Sequence, residues 1–397
     1  MTMLGEKAVA LAQGLIRCAS VTPRDEGALQ VLIEPLQKAR FACDRLTFTE
    51  DGTPPIDNLV ARIGDGPPHL CFAGHTDVVP PGDGAVWTHP PFAAEITGGV
   101  LYGRGASDMK GAIACFVTAA LDYAKAKNRE IEGTISLLIT GDEEGPSING
   151  TPKVLEWMEQ KGLKPDHCIV GEPSNSTRLG ETIKIGRRGS LNGRLTVTGS
   201  QGHVAYPHLA ANPAKGIVQA LAKLYESPLD YGSAHFSPSN LEVTSIDVGN
   251  PATNVIPASA AARFNVRYND RHTPDALQGL LREQITQALA GTELTFTLEF
   301  EPPAHAFFTE PGPLDGLLSE AASEITGLTP SLSTDGGTSD ARFIKDYCPV
   351  VEFGLTTETI HKVDENVTVA NLEQLTAIYH RFIERYFETF AGAPDGR

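Results

Sequence analysis

Apolar runs and helical patterns alternate along the chain up to about residue 181. The runs are continuously hydrophobic, which is typical of strands buried on both faces of a sheet. The predicted strands are 58–62, 69–73, 134–140 and 167–170. A helix precedes them, and another is predicted at 108–125, with Ser107 or Asp108 as its N-cap. This alternation indicates an α/β fold with a mixed, mainly parallel sheet sandwiched by helices.

The pattern changes after about residue 182, where apolar and polar side chains alternate singly. Such alternation predicts strands with one exposed face. The elements predicted in this region are strand 191–197, helix 212–226, strand 241–248, strand 262–268, helix 274–289 and strand 294–300. Their order is βαββαβ, the ferredoxin-like arrangement. We therefore predict an inserted α+β domain at 182–298.

The apolar α/β pattern returns after the segment Glu301-Pro302-Pro303. The elements predicted there are helix 314–326, strand 349–353 and helix 372–387. The first domain is thus predicted to be discontinuous, formed by residues 1–181 and 299–397.

Composition narrows the class of protein. The 397 residues suffice for two or three compact units, and 41% hydrophobic with 20% charged residues is typical of a globular protein. No uncharged apolar stretch approaches the roughly 18 residues that a membrane span requires. The N-terminal segment lacks the basic start, apolar middle and cleavage site of a signal peptide, which favours a cytoplasmic protein.

A net charge of -17, from 32 basic and 49 acidic side chains, disfavours binding to nucleic acid or anionic lipid. The excess of carboxylates suits a cation site, although most acidic residues simply solvate a surface. The six cysteines are too widely spaced for a zinc knuckle or a disulfide framework and are predicted to be buried thiols.

Clusters of polar residues follow the predicted strands. In an open α/β sheet such clusters converge at the carboxyl ends of the strands. They occupy 74–77, 141–145, 171–174 and 359–361, and a fifth cluster at 103–108 opens the long helix. The fifth, Gly-Arg-Gly-Ala-Ser-Asp, lacks the third glycine of a dinucleotide-binding loop, so that function is discounted.

Two imidazoles and three carboxylates within these clusters suit a metal centre. They are His75, Asp108, Glu144, Glu172 and His361. Each has an ordinary explanation when taken singly, but three carboxylates placed together without a cation would repel. If one carboxylate bridges, the set divides between two Zn²⁺ ions, each with an open position for water.

Two further carboxylates have candidate roles beside the metals. Asp77 lies two residues beyond His75 and can accept the second imidazole N–H, although a turn aspartate fits the spacing equally well. Glu143 and Glu144 are adjacent and point in different directions, so one can bind metal while the other serves as general base.

These motifs resemble the dinuclear zinc aminoacylase and carboxypeptidase-like metallohydrolases over nearly the whole chain. The matching segments are His75–Pro80, Gly105–Gly111, Asp142–Gly145, Gly171–Ser174 and His361. The resemblance implies one zinc held by His75, Asp108 and Glu172 and another held by Asp108, Glu144 and His361, with Co²⁺ able to substitute in one site. It implies that Glu143 is the general acid/base and that Asp77 orients His75.

The resemblance also implies that the inserted domain forms a homodimer. His203 would then reach the partner subunit's site and stabilise the tetrahedral oxyanion. From the sequence alone, a polar turn residue beside Gly202 is an adequate explanation of this histidine.

Four further segments are most similar to family members that hydrolyse N-succinyl-L,L-diaminopimelate. These segments are 186–190, 202–208, 254–257 and 333–340. That substrate carries three carboxylates and needs local cations, for which Arg187, Arg188, Arg263 and Arg267 are candidates. The resemblance favours Arg187 and Arg267 as substrate-binding residues, together with Ser190, Tyr206, Asn254, Gly337 and Thr338.

Rival hypotheses remain open at this point. The nearest is a related deacylase that acts on acetylornithine or on a broader range of acyl amino acids. A metal-binding or interaction protein without activity would not need the uncoordinated carboxylate of Glu143, which favours an enzyme. A nucleotide-dependent enzyme is the third alternative.

Overall fold

The computed structural model describes residues 2–391, which form two compact units. The first unit comprises the described residues up to Ile185, the segment Thr309–Ser333 and the residues from Ser339 onward. The second comprises Gly186–Phe308 and Thr334–Thr338. It begins after residue 182 and extends beyond residue 298, the limits predicted for the insertion. Residues 1 and 392–397 of the predicted first domain lie outside the described residues.

The helices of the described chain carry labels in chain order. They are α1 (Met3–Arg17), α2 (Ala28–Lys38), α3 (Lys110–Ala126), α4 (Thr151–Gln160), α5 (Pro213–Leu224), α6 (Pro274–Ala288), α7 (Pro313–Thr326), α8 (Ala341–Ile344) and α9 (Val369–Phe390). Among the residues described, no helix combines the length and apolar character needed to cross a bilayer.

The strands are labelled in the same way. They are β1 (Ala42–Phe48), β2 (Ile56–Gly64), β3 (His69–His75), β4 (Ile96–Thr97), β5 (Val100–Tyr102), β6 (Thr134–Thr140), β7 (His167–Val170), β8 (Thr182–Lys184), β9 (Gly186–Arg187), β10 (Gly189–Thr198), β11 (Gly202–His203), β12 (Asn240–Asp247), β13 (Val255–Ile256), β14 (Ser259–Tyr268), β15 (Thr295–Phe300), β16 (Phe307–Phe308), β17 (Ser331–Ser333), β18 (Val350–Glu352) and β19 (Asn366–Thr368).

The first unit is built on an eight-stranded sheet in the order β1-β2-β6-β3-β7-β18-β8-β17. Its central neighbours β6, β3, β7 and β18 run parallel, whereas β1 and β2 are antiparallel additions. Every residue of β3 and β6 is buried. Because side chains alternate between the faces of a strand, both faces of the sheet are covered, which confirms the predicted α/β class.

Helix α3 begins later than its sequence suggests. Its N-cap is Met109, which makes no side-chain capping bond, so the predicted caps at Ser107 and Asp108 are wrong. The physical reason is that both side chains have other partners. The Ser107 hydroxyl donates to the Thr356 carbonyl oxygen at 2.5 Å, and the Asp108 carboxylate faces His75 and His361.

The second unit confirms the ferredoxin-like prediction. Its main sheet has the order β12-β14-β10-β15, all pairs antiparallel, and its helices α5 and α6 pack on each other. Alternate residues of β10 and β14 are buried, so one face of the sheet forms the core. Leu195, Phe264 and Leu281 lie in that core.

All six cysteines are free thiols. Cys71, Cys115, Cys168 and Cys348 are buried as predicted. The prediction is wrong for Cys18 and Cys43, which are partly exposed. They lie at the end of α1 and on the edge strand β1, where one side of the chain faces solvent.

Candidate metal centre

Three central strands end beside one another and supply most of the candidate ligands. His75 is the last residue of β3, which lies between β6 and β7. Glu144 follows β6, and Glu172 follows β7. The Thr76 N–H donates to the Thr140 carbonyl oxygen at 2.9 Å, which keeps two of these strand ends level. The parallel sheet thus delivers these side chains to one edge.

Asp108 lies at the same edge, and two glycines there leave room for the side chain of its neighbour, Met109. A Cβ atom at Gly74 would lie 2.5 Å from the Met109 methyl carbon, and one at Gly171 would lie 2.8 Å from it. A side chain at either position would force the Met109 methyl group to shift, and at Gly171 it would also meet the Phe72 ring at 2.5 Å. These two glycines directly precede His75 and Glu172.

The structure brings all five predicted ligands together. His75 Nε2 lies 3.2 Å from Asp108 Oδ1 and 3.5 Å from Glu172 Oε1. His361 Nε2 lies 3.4 Å from Asp108 Oδ2 and 2.8 Å from Glu144 Oε1. Asp108 therefore stands between the two imidazoles, with one oxygen toward each.

The cluster is buried except on one side. The side chain of His75 is 1% exposed and those of Asp108 and Glu172 are 10% and 9% exposed, whereas His361 is 48% exposed. Burial would lower the pKa of His75, but hydrogen bonds to Asp108 and Glu172 outweigh it and raise the pKa well above its usual value. Hydrogen bonds to Asp108 and Glu144 raise the pKa of His361 to about 10. The carboxylates thus stabilise positive charge at the centre of the cluster.

The donor set fits divalent metal ions. Ligand atoms of His75, Asp108 and Glu144 all lie within 4.8 Å of one another, and the same holds for His75, Glu143 and Glu172. Imidazole and carboxylate are the ligand types that catalytic Zn²⁺ sites use. A divalent cation can replace the protons that the two imidazoles otherwise bind, so metal binding would satisfy the carboxylates.

Asp77 contacts His75 through a different atom from the one predicted. His75 Nδ1 lies 2.9 Å from the backbone carbonyl oxygen of Asp77 and 3.6 Å from its carboxylate Oδ1. The hydrogen bond that orients the ring is therefore to the backbone, which corrects the predicted bond to the carboxylate. The carboxylate has other partners.

The Asp77 carboxylate instead fixes the segment that carries the paired glutamates. It accepts the N–H of Glu143 at 3.3 Å and that of Glu144 at 3.0 Å, and the Thr22 hydroxyl donates to it at 2.7 Å. Burial raises the pKa of Asp77 to about 6. The role of Thr22 escaped sequence reasoning, because no spacing pattern links a lone threonine to residues so far along the chain.

The predicted substrate-binding residues lie in the second unit and form three groups. Arg187 is buried, and its Nη1 donates to the Gly337 carbonyl oxygen at 3.2 Å, with Thr338 next in the chain. Ser190 and Arg267 are cross-strand partners on β10 and β14. The pKa of Arg267 is lowered, first by burial and then by the charge of Arg188.

The third group is exposed and comprises His203, Tyr206 and Asn254. The Asn254 carbonyl oxygen accepts the N–H of Val204 at 3.1 Å, beside the short β11–β13 ladder. The Ala205 N–H donates to His203 Nδ1 at 3.1 Å, so the neutral ring carries its proton on Nε2. That proton is free to face a ligand.

Residues 71–385 match the model of Peptidase family M20/M25/M40, and the chain belongs to this family. The chain is 56% identical over 383 residues to succinyl-diaminopimelate desuccinylase of Rhodopseudomonas palustris (strain BisB5), covering 96% of this chain and 98% of that protein. It is also 56% identical to succinyl-diaminopimelate desuccinylase of Methylorubrum populi, covering 98% of this chain and all of the relative.

Solved structures of more distant proteins share the fold. An M20 family metallo-carboxypeptidase from Sulfolobus solfataricus superposes with a TM-score of 0.72 at 18% identity, covering 97% of this chain and 99% of that one. The YXEP protein of Bacillus subtilis, described as a dinuclear metal-binding peptidase of the same family, has a TM-score of 0.72 at 17% identity, with the same coverage.

Proposed function

We propose that this chain hydrolyses N-succinyl-L,L-2,6-diaminopimelate to succinate and L,L-2,6-diaminopimelate, as a step in lysine and diaminopimelate biosynthesis. The proposal is supported by the identity of 56% to relatives with this name over nearly the full length of both chains. The single structural observation that carries it is the convergence of two imidazoles and three carboxylates beside Glu143.

Two Zn²⁺ ions per chain would be held by these five side chains, and Co²⁺ would be accepted in one site. His75, Asp108 and Glu172 would hold one ion, while Asp108, Glu144 and His361 would hold the other. Asp108 suits the shared position because its two oxygens face different imidazoles. When bound, the ions supply charge to polarise the acyl carbonyl and to make hydroxide available near neutral pH.

Glu143 would move the proton. Its Oε2 lies 4.0 Å from His75 Nε2, farther than the nearest oxygens of Asp108 and Glu172, which leaves this carboxylate for acid–base work. Burial and the charge of Glu172 raise the pKa of Glu143 well above its usual value. Glu143 takes a proton from the attacking water as the C–O bond forms, and gives it to the amine nitrogen as the C–N bond breaks.

The tricarboxylate substrate would be bound by residues of the second unit. Arg267 has a buried Nη1 atom that no described residue hydrogen-bonds, so this guanidinium could accept an anion there. Ser190 lies opposite Arg267 on the neighbouring strand, and Arg187 lies beside Gly337 and Thr338. Tyr206 and Asn254 would contribute further contacts.

The chain would act as a cytoplasmic homodimer joined through the inserted unit. In this arrangement the Nε2–H of His203 of the partner subunit donates a hydrogen bond to the oxyanion that develops on the acyl oxygen. The proposal is supported by the exposure of His203 and by the backbone bond that leaves its proton on Nε2.

An assay on two substrates tests the function. Protein freed of metal should be inactive, and two equivalents of Zn²⁺ should restore hydrolysis of N-succinyl-L,L-diaminopimelate. The rate with acetylornithine should be far lower. Full activity in a chelator would exclude the metal mechanism, and faster cleavage of acetylornithine would assign the chain to a different deacylase.

A further inference from the structure

Arg104 and Glu365 form a buried ion pair next to the candidate metal centre. Their side chains are 3% and 0% exposed, and Arg104 Nη1 lies 2.7 Å from Glu365 Oε2. The guanidinium also stacks on the Trp87 ring, with its central carbon 5.2 Å from the ring centroid. Removing two charges from water costs several kcal/mol per ion, so the pair needs compensating bonds.

The compensating bonds of Glu365 run to the backbone that carries Asp108. Glu365 Oε1 accepts the N–H of Ser107 at 3.0 Å and that of Asp108 at 3.1 Å. The carbonyl oxygen of Glu365 accepts the N–H of Gly103 at 2.8 Å. One residue thus holds both ends of the segment that leads to the shared carboxylate.

Arg104 reaches in the other direction, toward His361. Its Nη1 donates to the carbonyl oxygen of Lys362 at 3.3 Å. His361 has a φ of +59°, a left-handed conformation that is unfavourable for a residue with a side chain. Such a conformation persists only where neighbouring contacts determine it. The bond to Lys362 is one such contact.

We propose that the Arg104–Glu365 pair positions the ligands of one metal ion, the ion that Asp108, Glu144 and His361 would hold. The pair would set the affinity of that site without contacting the ion. This inference rests on the two-metal centre of the proposed function. Two ligands of that ion lie on the segments that the pair joins. The ion held by His75, Asp108 and Glu172 depends on the pair through Asp108 alone, since the sheet itself places the other two.

Stepwise Zn²⁺ binding to metal-free Glu365→Gln protein tests the proposal, with a chromogenic chelator as competitor. Loss of an oriented outer partner typically lowers metal affinity about 10- to 100-fold. We expect a loss of that size for one of the two ions and a much smaller loss for the other. With Co²⁺ as the probe, one of the two visible absorption signals should weaken at limiting metal.

Asp315→Asn is the matched control. Asp315 is a buried carboxylate of the same unit and accepts the N–H of Gly312 at 2.5 Å, at the start of α7. Its replacement should lower stability and leave both metal affinities unchanged. Arg104→Lys keeps the charge but not the planar fork, so it should weaken the same ion as Glu365→Gln and provides the test if Glu365→Gln does not fold.

Wild-type affinity for both ions in Glu365→Gln and Arg104→Lys would overturn the proposal. An equal loss for the two ions would do so as well, because it would indicate a general loss of order. If the wild-type chain itself fails to bind two ions, the proposed function falls too, so the two failures are distinguishable.

Discussion

The residues assigned to chemistry in the first unit are held differently from the exposed group of the second unit, which comprises His203, Tyr206 and Asn254. In the first, the charged side chains other than His361 are largely buried, contact one another and lie on backbone whose N–H groups bind the buried carboxylates of Asp77 and Glu365. In the second, Tyr206 is 56% exposed and His203 stands in a two-residue strand. The same resemblance pointed to both sets.

The difference follows from the sheets that carry them. A sheet covered on both faces, like that around β3, can place charges in a dry interior, where their geometry is fixed and their mutual repulsion demands a cation. His203 and Tyr206 lie in and beside the two-stranded β11–β13 ladder, where exposed polar groups keep their contact with water and have no burial cost to offset.

The largest loss of activity is expected for Glu143, a residue of the largely buried set in the first unit. Glu143→Gln should lower kcat about 10²- to 10⁴-fold, because the proton carrier is lost, while two metal ions remain bound. Turnover and elemental metal content check this. Glu242→Gln, on an exposed position of β12, is the control. Loss of metal together with activity would instead make Glu143 a ligand.

Substitution of His203 tests whether the exposed group of the second unit contributes to catalysis in the proposed homodimer. His203→Ala should lower kcat about 10²- to 10³-fold, as for a lost oxyanion donor, with metal content unchanged. His208→Ala, in the same exposed loop, should have little effect.

Mixing chains sharpens the same point. If His203 acts in the partner's site, dimers that combine Glu143→Ala with His203→Ala chains have one intact site. A statistical mixture should then recover about a quarter of wild-type activity. No recovery after subunit exchange would place His203 in its own chain's site.

Substitution of Asp77 tests how far the buried set depends on the hydrogen bonds that fix its backbone. Asp77→Asn should lower kcat about 10- to 100-fold, since it weakens the bonds to the N–H groups of Glu143 and Glu144. Thr22→Val removes a single hydrogen bond to Asp77 and should cost only about 1 kcal/mol in stability. Steady-state kinetics and urea denaturation separate the two. If Asp77→Asn and Thr22→Val lowered kcat to the same extent, the hydrogen bonds that Asp77 accepts from Glu143 and Glu144 would have no specific role in turnover.

The last prediction concerns stability in acid. His69 is buried, with Nε2 2.7 Å from Ser136 Oγ, and burial lowers its pKa to about 4. Between about pH 6.5 and 4 the unfolded chain binds a proton that the folded chain does not, so stability falls as the pH is lowered, by up to about 3 kcal/mol.

Urea denaturation across this range should show a smaller pH slope for His69→Gln than for wild type. Among the described residues, the second unit has no buried histidine. His272→Gln in that unit is therefore the control. If the pH dependence of stability were the same in His69→Gln as in wild type, the lowered pKa of His69 would be contradicted.

Much of the first unit was predictable because its central strands are continuously apolar and end at chemically distinctive residues. Strand ends in a parallel sheet converge, so His75, Glu144 and Glu172 could be grouped from sequence. The ferredoxin-like unit was equally accessible from the single-residue alternation of its strands.

Other features escaped because their patterns are weak or distant. Strand β1 is an edge strand with no fully buried position, and α2 contains Pro35, so neither stands out in the sequence. Which atom of Asp77 faces His75 depends on the backbone path. The Arg104–Glu365 pair joins residues separated by 261 positions, and nothing local marks it.

Because the first unit is formed by separate segments of the chain, it can be completed only late in synthesis on the ribosome. Strand β18, which lies between β7 and β8, and the long helix α9 emerge only after nearly all of the second unit has been made. His361 leaves the exit tunnel later still than β18. The nascent chain therefore lacks one of the five proposed ligands for most of its synthesis, and the proposed two-metal centre would be complete only when translation is almost finished.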